Sequence, residues 1–264
     1  MLNFLAMVEH GQESIKAIET ACSLGTHFFI HPIYIKPSDE HDLSVGAGWV
    51  WNTWERENRQ KARKDVKILL SDQKQRYPNL KDPVVVSGGP IKAAAGFFLE
   101  KKHDLIVTGT PFRGMYPMVL AHRFHEAIHK KDRDLPLWVI KDSCPVSRVV
   151  ALTDGSDSAE KAIGFLNRFV PHLNASITLI GLARKDDHSL KTEAINLERG
   201  FAILREKGIN ADGFTEKSMN HDGLGAEISK ADLLVISFSS VSSVYLFDLF
   251  GTNLSSVLFY LNGD

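Results

Sequence analysis

An aspartate stands shortly after a predicted strand in the second half of the chain. Residues 149–152 form a short, valine-rich apolar run that predicts a buried strand, and Asp154 opens the polar turn behind it. A helix is predicted next, with Ser156 or Ser158 as its N-cap and with apolar residues at helical spacing: Ala159, Ile163 and Leu166. Because ligands bind at the carboxyl ends of strands in open α/β sheets, Asp154 is a candidate ligand-binding residue. The alternative is that it only caps the turn.

Three histidines could in principle bind a metal ion. His122, His125 and His129 are spaced by three and four residues, so they would share one face of a helix. Glu126 and Lys130 lie beside them, and no cysteine or aspartate completes a tetrahedral set. The pattern therefore favours a solvated helix face, and no metal site is predicted.

Nucleophilic chemistry finds little support in the sequence. Ser14, Ser156 and Ser158 have no histidine or aspartate companion at a recognisable elbow, and a Gly-x-Ser-x-Gly motif is absent. Cys22 and Cys144 do not have redox spacing. No catalytic residue is predicted, and the chain is not expected to be an enzyme.

In the first half, a cluster of tryptophans is followed by a run of basic residues. Trp49, Trp51 and Trp54 lie in a stretch, 37–54, that is predicted to be a loop. They predict a contact surface for a protein partner or an inter-domain lid, and packing over the domain's own core is the alternative. The basic run 56–67 is interleaved with acidic residues, which is typical of a solvated helix.

Bulk properties narrow the class of protein. The chain has 264 residues, 44% hydrophobic residues and a net charge of −1, so it can build two ordinary domains and shows no global preference for nucleic acid or membranes. Its two cysteines fit a reducing compartment. The apolar start reads as a first strand and not as a signal peptide, so a cytoplasmic location is expected.

Strands and helices are predicted to alternate along the whole chain, which implies a parallel sheet covered on both faces. The predicted strands are 4–8, 28–35, 83–87, 104–108, 135–141, 149–152, 176–182, 211–216, 233–237 and 257–261. The predicted helices are 13–24, 55–75, 90–102, 117–130, 158–170, 190–207, 224–229 and 241–250.

The second half repeats the first. Lys-Ala-Ile at 16–18 recurs at 161–163, and Asp-Leu-Ile-Val at 104–107 is matched by Asp-Leu-Leu-Val at 232–235. The second pair of matching segments is closer together in sequence than the first pair. The first half therefore contains extra residues between its two matching segments, and the stretch 37–54 would supply them. Two domains are predicted, 1–142 and 147–264, with Ser-Cys-Pro at 143–145 between them.

Several segments resemble the universal stress protein family. Val-Val-Ala-Leu-Thr-Asp-Gly-Ser at 149–156 resembles that family's first strand and turn, and both 103–110 and 231–237 resemble its fourth strand. Ser-Gly-Gly-Pro at 87–90 resembles the turn after its third strand. The resemblance covers nearly the whole chain as two tandem copies. It implies an α/β fold with two tandem open parallel five-stranded sheets, Rossmann-like and with helices on both faces.

The resemblance also implies a ligand, because many members of this family bind ATP. Their phosphate motif is Gly-x(2)-Gly-x(9)-Gly-Ser/Thr, in which glycines let backbone N–H groups approach phosphate oxygens. The aspartate after strand one meets the adenosine end of the nucleotide. Members that lack the motif often bind no ATP and act as dimers or signalling partners.

The first half departs from this motif at several positions. Gly109 is present, but the second glycine position is Phe112, and His122-Arg123 stands where Gly-Ser/Thr is expected. Glu9 replaces the aspartate after strand one. Since a bulky ring would occupy the path of a phosphate, this half is predicted not to bind ATP.

The second half keeps more of the motif. Asp154 is retained after Thr153, the first two glycine positions are Ser237 and Ser240, and Gly251-Thr252 follows one residue later than the motif requires. Serine hydroxyls can donate to phosphate, although a serine-rich turn before a helix can also be just an N-cap. The candidate nucleotide site comprises Thr153, Asp154, Ser237, Ser239, Ser240, Gly251 and Thr252.

Together these features predict a stress-response binding or regulatory protein that holds ATP or another adenine nucleotide in its C-terminal domain. The alternative is an adaptor that binds no nucleotide and uses Trp49, Trp51 and Trp54 as its contact surface. A homodimer or an intramolecular pseudo-dimer is expected. A slow ATPase is the least favoured reading, because phosphoryl transfer needs a metal site and a positioned lysine or arginine.

Overall fold

A computed structural model describes most of the chain. The described residues are 1–9, 11–36, 49–110, 112, 115–129, 131, 133–182, 190–215, 221–237 and 254–262, and at 49–55, 190 and 221–222 the structure describes the backbone alone. Within those ranges, no helix is both long enough and apolar enough to cross a membrane.

Helices and strands alternate through both halves. The first half contains β1 (Leu2–Val8), α1 (Gln12–Ser23), β2 (Phe28–Lys36), α2 (Trp49–Leu69), α3 (Ser71–Arg76), β3 (Val84–Ser87), α4 (Pro90–Lys101), β4 (Leu105–Gly109), α5 (Pro117–Ile128) and β5 (Leu135–Ile140). The second contains β6 (Arg148–Thr153), α6 (Asp157–Phe169), a 3₁₀ turn (Val170–His172), β7 (Ser176–Gly181), α7 (Leu190–Arg205), β8 (Asp212–Thr215), α8 (His221–Ser229), β9 (Leu233–Ser237) and β10 (Ser256–Leu261).

The described strands form one ten-stranded sheet in the order β3-β2-β1-β4-β5-β10-β9-β6-β7-β8. All neighbours are parallel except β5 and β10, which pair antiparallel, with Val139 opposite Val257. The predicted α/β fold with five parallel strands in each half is confirmed, and the two sets of strands continue into one another. The domain boundaries at 142 and 147 remain a prediction.

The two faces of the sheet carry separate cores, because successive residues of a strand point to opposite sides. Along β1, Phe4 and Ala6 belong to the core beneath α1, α2, α6 and α7. Leu5 and Met7 belong to the core beneath α4, α5 and α8. Both faces are therefore covered by helices, which explains why the strands read as continuous apolar runs.

Helix α6 joins the two halves. The ring of Phe169, in its last turn, lies 6.0 Å from the ring of Phe4, 5.7 Å from that of Phe28 and 5.8 Å from that of Trp138. Such aromatic pairs contribute about 0.5–1.5 kcal/mol each beyond the area that they bury. On the same helix, the Lys161 ammonium lies 3.2 Å from the Asp134 carboxylate of the first half.

One region differs from the sequence prediction. Residues 49–54, predicted to be part of a loop, form the start of α2, so the loop prediction is wrong there. The helix predicted over 55–75 is divided at Leu70 into α2 and α3. The rest of the predicted loop, 37–48, and the predicted helix 241–250 lie outside the described residues.

Candidate functional site

A crevice is expected where the strand order reverses. From β6 the chain runs outward to β7 and β8, and it then returns to β9 on the other side of β6. This reversal is the switch point at which open α/β sheets bind ligands, at the carboxyl ends of the strands. Thr153 ends β6 and Ser237 ends β9, and both residues are buried.

The turn after β6 fixes the Asp154 carboxylate. Asp154 is only 8% exposed, and its Oδ1 accepts a hydrogen bond from the Ser156 backbone N–H at 3.0 Å and one from the Ser156 hydroxyl at 2.6 Å. Ser156 Oγ in turn accepts from the Ala159 N–H at 3.2 Å, so Ser156 is the N-cap of α6. Asp154 therefore does cap the turn, and the same bonds hold its carboxylate in place at the switch point.

Helix α7 supports this turn from the side. Gly155 has a φ of +68°, and a Cβ at this position would overlap Asn196 Oδ1. The Asn196 amide donates to the Leu182 carbonyl at 3.1 Å, while the Leu182 N–H donates to the Thr153 carbonyl at 2.7 Å. Asn196 was not identified from the sequence, where the only signal was an amide at an inward-facing position of a helix.

Four of the predicted site residues lie outside the described part of the chain: Ser239, Ser240, Gly251 and Thr252. The structure brings Thr153, Asp154 and Ser237 together at the ends of two neighbouring strands, since Ala151 of β6 pairs with Val235 of β9. The site residues that the structure describes therefore supply one carboxylate and two hydroxyls.

The corresponding turn of the first half is built differently. Ser14, in the first turn of α1, donates its hydroxyl to the Glu9 carbonyl at 2.7 Å and accepts from the Glu9 N–H at 3.2 Å. At the end of β4, a Cβ on Gly109 would overlap the Glu13 carbonyl oxygen. The first turn of α1 thus lies against the end of β4, at the position where β9 of the second half ends in a serine.

Comparisons with known proteins find similarity in structure only. No family model matches the chain, and no curated protein matches it. A universal stress protein from Archaeoglobus fulgidus matches with a TM-score of 0.61 and 14% identity, over 99% of this chain and 97% of that chain. A putative universal stress protein from Pseudomonas aeruginosa matches with a TM-score of 0.53 and 11% identity, over 97% of this chain and 92% of that chain. The chain has the universal stress protein fold.

A third structure, of a functionally unknown protein from Pseudomonas aeruginosa, matches with a TM-score of 0.51 and 12% identity, over 97% of this chain and 91% of that chain. All three matches extend across both halves, in agreement with the predicted tandem layout. At these identities the similarity defines the fold, and the chemistry has to be argued from the residues of this chain.

In this universal stress protein fold, Phe112 of the first half belongs to the core. Its side chain is buried among the residues beneath α4 and α5. Its N–H donates to the Met115 carbonyl at 3.2 Å, and the Met115 N–H donates back to the Phe112 carbonyl at 2.8 Å. His122 lies in the interior of α5, where its Nε2 is 3.4 Å from the Glu126 carboxylate. Neither residue resembles a phosphate-binding glycine.

The three histidines lie along the exposed side of α5 and just beyond its end. His122 and His129 are exposed and His125 is half-buried, with 6.1 Å between the rings of His125 and His129. Partial burial, followed by the charges of His129 and His122, lowers the pKa of His125. No group of three or more metal-ligating side chains occurs among the described residues.

Proposed function

We propose that the protein binds ATP or a related adenine nucleotide at the carboxyl ends of β6 and β9, and that it acts as a stress-response binding or regulatory protein. The observation that carries the proposal is the buried Asp154 carboxylate, held by Ser156 at the switch point of the second half. A fixed acceptor at this point can take a hydrogen bond from a ribose hydroxyl. Because the turn already orients it, little entropy is lost when the ligand binds.

The charges around α6 favour one orientation of the nucleotide. Asp157 and Glu160 lie in the first turn of α6, where they weaken the attraction of the helix N-terminus for phosphate. The adenosine end is therefore the part that fits near Asp154. We assign the phosphates to Ser239, Ser240, Gly251 and Thr252, with the Ser237 hydroxyl between the two ends.

At the carboxyl ends of β1 and β4, the first half is proposed to bind no nucleotide. The first turn of α1 lies against Gly109, and Phe112 belongs to the core. One nucleotide per chain is the expected stoichiometry.

Binding without catalysis is the proposed role. Phosphoryl transfer needs a positioned cation at the phosphates, and the described site residues are a threonine, an aspartate and a serine. The antiparallel pairing of β5 with β10 supports a pseudo-dimeric arrangement of the two halves. Both Cys22 and Cys144 are free thiols, which suits the reducing cytoplasm that we propose as the location.

The test is to purify the protein without added nucleotide, denature it, and identify ATP, ADP or AMP in the supernatant by chromatography and mass. We expect about one nucleotide per chain, lost in Asp154→Ala and kept in Glu9→Ala, the matched change in the first half. Asp154→Asn keeps an acceptor for the Ser156 N–H, so it separates loss of the carboxylate from loss of the turn.

Two results would overturn this proposal. Two nucleotides per chain would show that the first half also binds. No nucleotide, together with no thermal shift in millimolar Mg-ATP, would favour the adaptor alternative, in which the Trp49–54 region contacts a protein partner.

A further inference from the structure

A groove of about 410 Å³ lies between helix α2 and the edge of the sheet. Three arginines of α2, Arg56, Arg59 and Arg63, line one side, and Pro83, Val84 and Val85 line the other. The described lining residues include no carboxylate. A volume of several hundred cubic ångströms is typical of sites for small molecules.

The three guanidinium groups are arranged along one face of the helix. Arg56, Arg59 and Arg63 are separated by three and four residues, so at about 1.5 Å per residue they span about 10 Å along the helix axis. Like charges at this spacing repel one another and destabilise the helix by about 0.2–0.5 kcal/mol per pair. An anion in the groove would remove this repulsion.

Other basic residues nearby have acidic neighbours. Lys67 and Lys74 lie 3.8 and 3.4 Å from the Asp82 carboxylate, and Arg76 lies 3.9 Å from that of Glu19. In the part of the chain that the structure describes, no ion pair involves Arg56 or Arg63. Arg56 and Arg63 therefore bring two positive charges to the groove that no described acidic side chain pairs with.

Strand β3 anchors the middle arginine. Arg59 donates from Nε to the Ser87 hydroxyl at 3.3 Å, which ties its guanidinium to the carboxyl end of β3. Arginine is suited to phosphate because its planar fork of N–H groups can bond two oxygens at once. Arg59 is held in place between Arg56 and Arg63, so the three arginines together can contact neighbouring phosphates of one molecule.

We propose that this groove binds a small anion that carries at least two linked phosphate groups. Arg56, Arg59 and Arg63 bind the phosphates, and the exposed Val84 side chain contacts an apolar part of the ligand. The groove lies beside β3, at the opposite end of the first half from the junction with β10. It is separate from the nucleotide site proposed at β6 and β9, and it does not depend on that site.

Titration calorimetry of the full chain with inorganic tripolyphosphate, at constant ionic strength, tests the proposal. We expect saturable binding of one tripolyphosphate at the groove, weakened at least about tenfold in Arg56→Gln/Arg63→Gln, because two charge-assisted contacts are lost. Arg56→Lys/Arg63→Lys keeps the positive charges but not the planar fork of N–H groups, so we expect an intermediate loss of affinity for tripolyphosphate. Orthophosphate should bind at least about tenfold more weakly than tripolyphosphate.

The matched control is Arg123→Gln/Arg205→Gln, which removes two exposed arginines of α5 and α7 that lie near Glu126 and Glu198. It should leave the affinity unchanged, as should Ser239→Ala/Ser240→Ala, which removes two of the hydroxyls assigned to the phosphates of the nucleotide site. Thermal melting of each variant checks that it is folded.

Three outcomes would overturn the proposal. They are no saturable binding by the wild type, an equal loss in the control pair, or loss of binding in Ser239→Ala/Ser240→Ala alone. The last result would place tripolyphosphate in the nucleotide site, and it would leave the proposed nucleotide function standing.

Discussion

The turns after β1 and β6 occupy the same place in two repeats of one fold, yet they place different groups at the switch point. After β6, a carboxylate is held by a serine that also caps the next helix. After β1, the serine of the helix binds backbone atoms of Glu9, and the helix closes against Gly109. The comparison shows that a repeat can keep its sheet and helices while the chemistry at the strand ends changes.

The largest effect is expected from exchanging the residues that end β4 and β9. Gly109→Ser places a side chain against the Glu13 carbonyl oxygen, so we expect a loss of about 3 kcal/mol in the free energy of unfolding. Ser237→Gly, the reverse change, should cost about 1 kcal/mol, mainly through backbone entropy. Urea denaturation of both variants measures the difference, and equal losses would show that the two strand ends are packed alike.

The two halves should also differ in acid sensitivity. His103, just before β4, is 4% exposed, and burial, together with the charge of His31, lowers its pKa to about 4. Ala231 stands at the matching position before β9. The unfolded chain binds a proton near pH 6.5 that the folded chain does not bind until near pH 4, so stability is complete above about pH 6.5 and falls as the pH drops towards 4.

Up to about 3 kcal/mol of stability would be lost over this range. His103→Ala, which introduces the residue of the second half, should flatten the dependence between pH 4 and 6.5, although it lowers stability at neutral pH. Denaturation at a series of pH values measures the slope. An unchanged slope would assign the acid sensitivity to other groups.

A smaller contrast is expected at the glycines of the two turns. Gly155→Ala forces a side chain into left-handed backbone and against Asn196, so a loss of about 2 kcal/mol is expected. Gly11, in the turn after β1, has a φ of −106°, and the nearest obstacle to a Cβ is the flexible carboxylate of Glu13, 2.5 Å away. Gly11→Ala should therefore cost less than about 0.5 kcal/mol. Thermal melts of both variants would test this ranking.

The smallest difference in stability between the two halves is expected at the two turn serines. Ser156→Ala removes the N-cap of α6, and Ser14→Ala removes the hydroxyl that binds Glu9, so each should cost about 1 kcal/mol. Their consequences for ligand binding should differ. Only Ser156→Ala removes a hydrogen bond to the Asp154 carboxylate, the one from the hydroxyl, so only this variant should reduce the amount of co-purified nucleotide. If both variants retain the same amount of nucleotide, the Ser156 hydroxyl does not contribute to nucleotide binding.

Much of the fold could be predicted because buried parallel strands consist of continuous runs of apolar residues. The run 233–237 matches β9 residue for residue, and 28–35 misses only the last residue of β2. The start of α2 was missed because tryptophans preceded by glycines suit a loop as well as a helix. Apolar pattern alone does not distinguish these two outcomes.

The site was less predictable than the fold. The β6–Asp154 turn was found because a strand, a carboxylate and a helix follow one another closely in sequence. Asn196 comes from a distant helix, and nothing local indicates that it would pack on Gly155. The groove at Arg56, Arg59 and Arg63 depends on which strand lies beside α2, and a charged helix gives no information about its neighbour.

Strand β10 is the last of the described strands, yet it lies in the middle of the sheet between β5 and β9. While the protein is being synthesised, β5 leaves the ribosome well before β10, so one side of β5 stays open until β10 arrives. An unpaired, fully apolar strand edge is a template for association with other chains. The strand that joins the two halves is thus also the one that ends this period of exposure for the nascent chain.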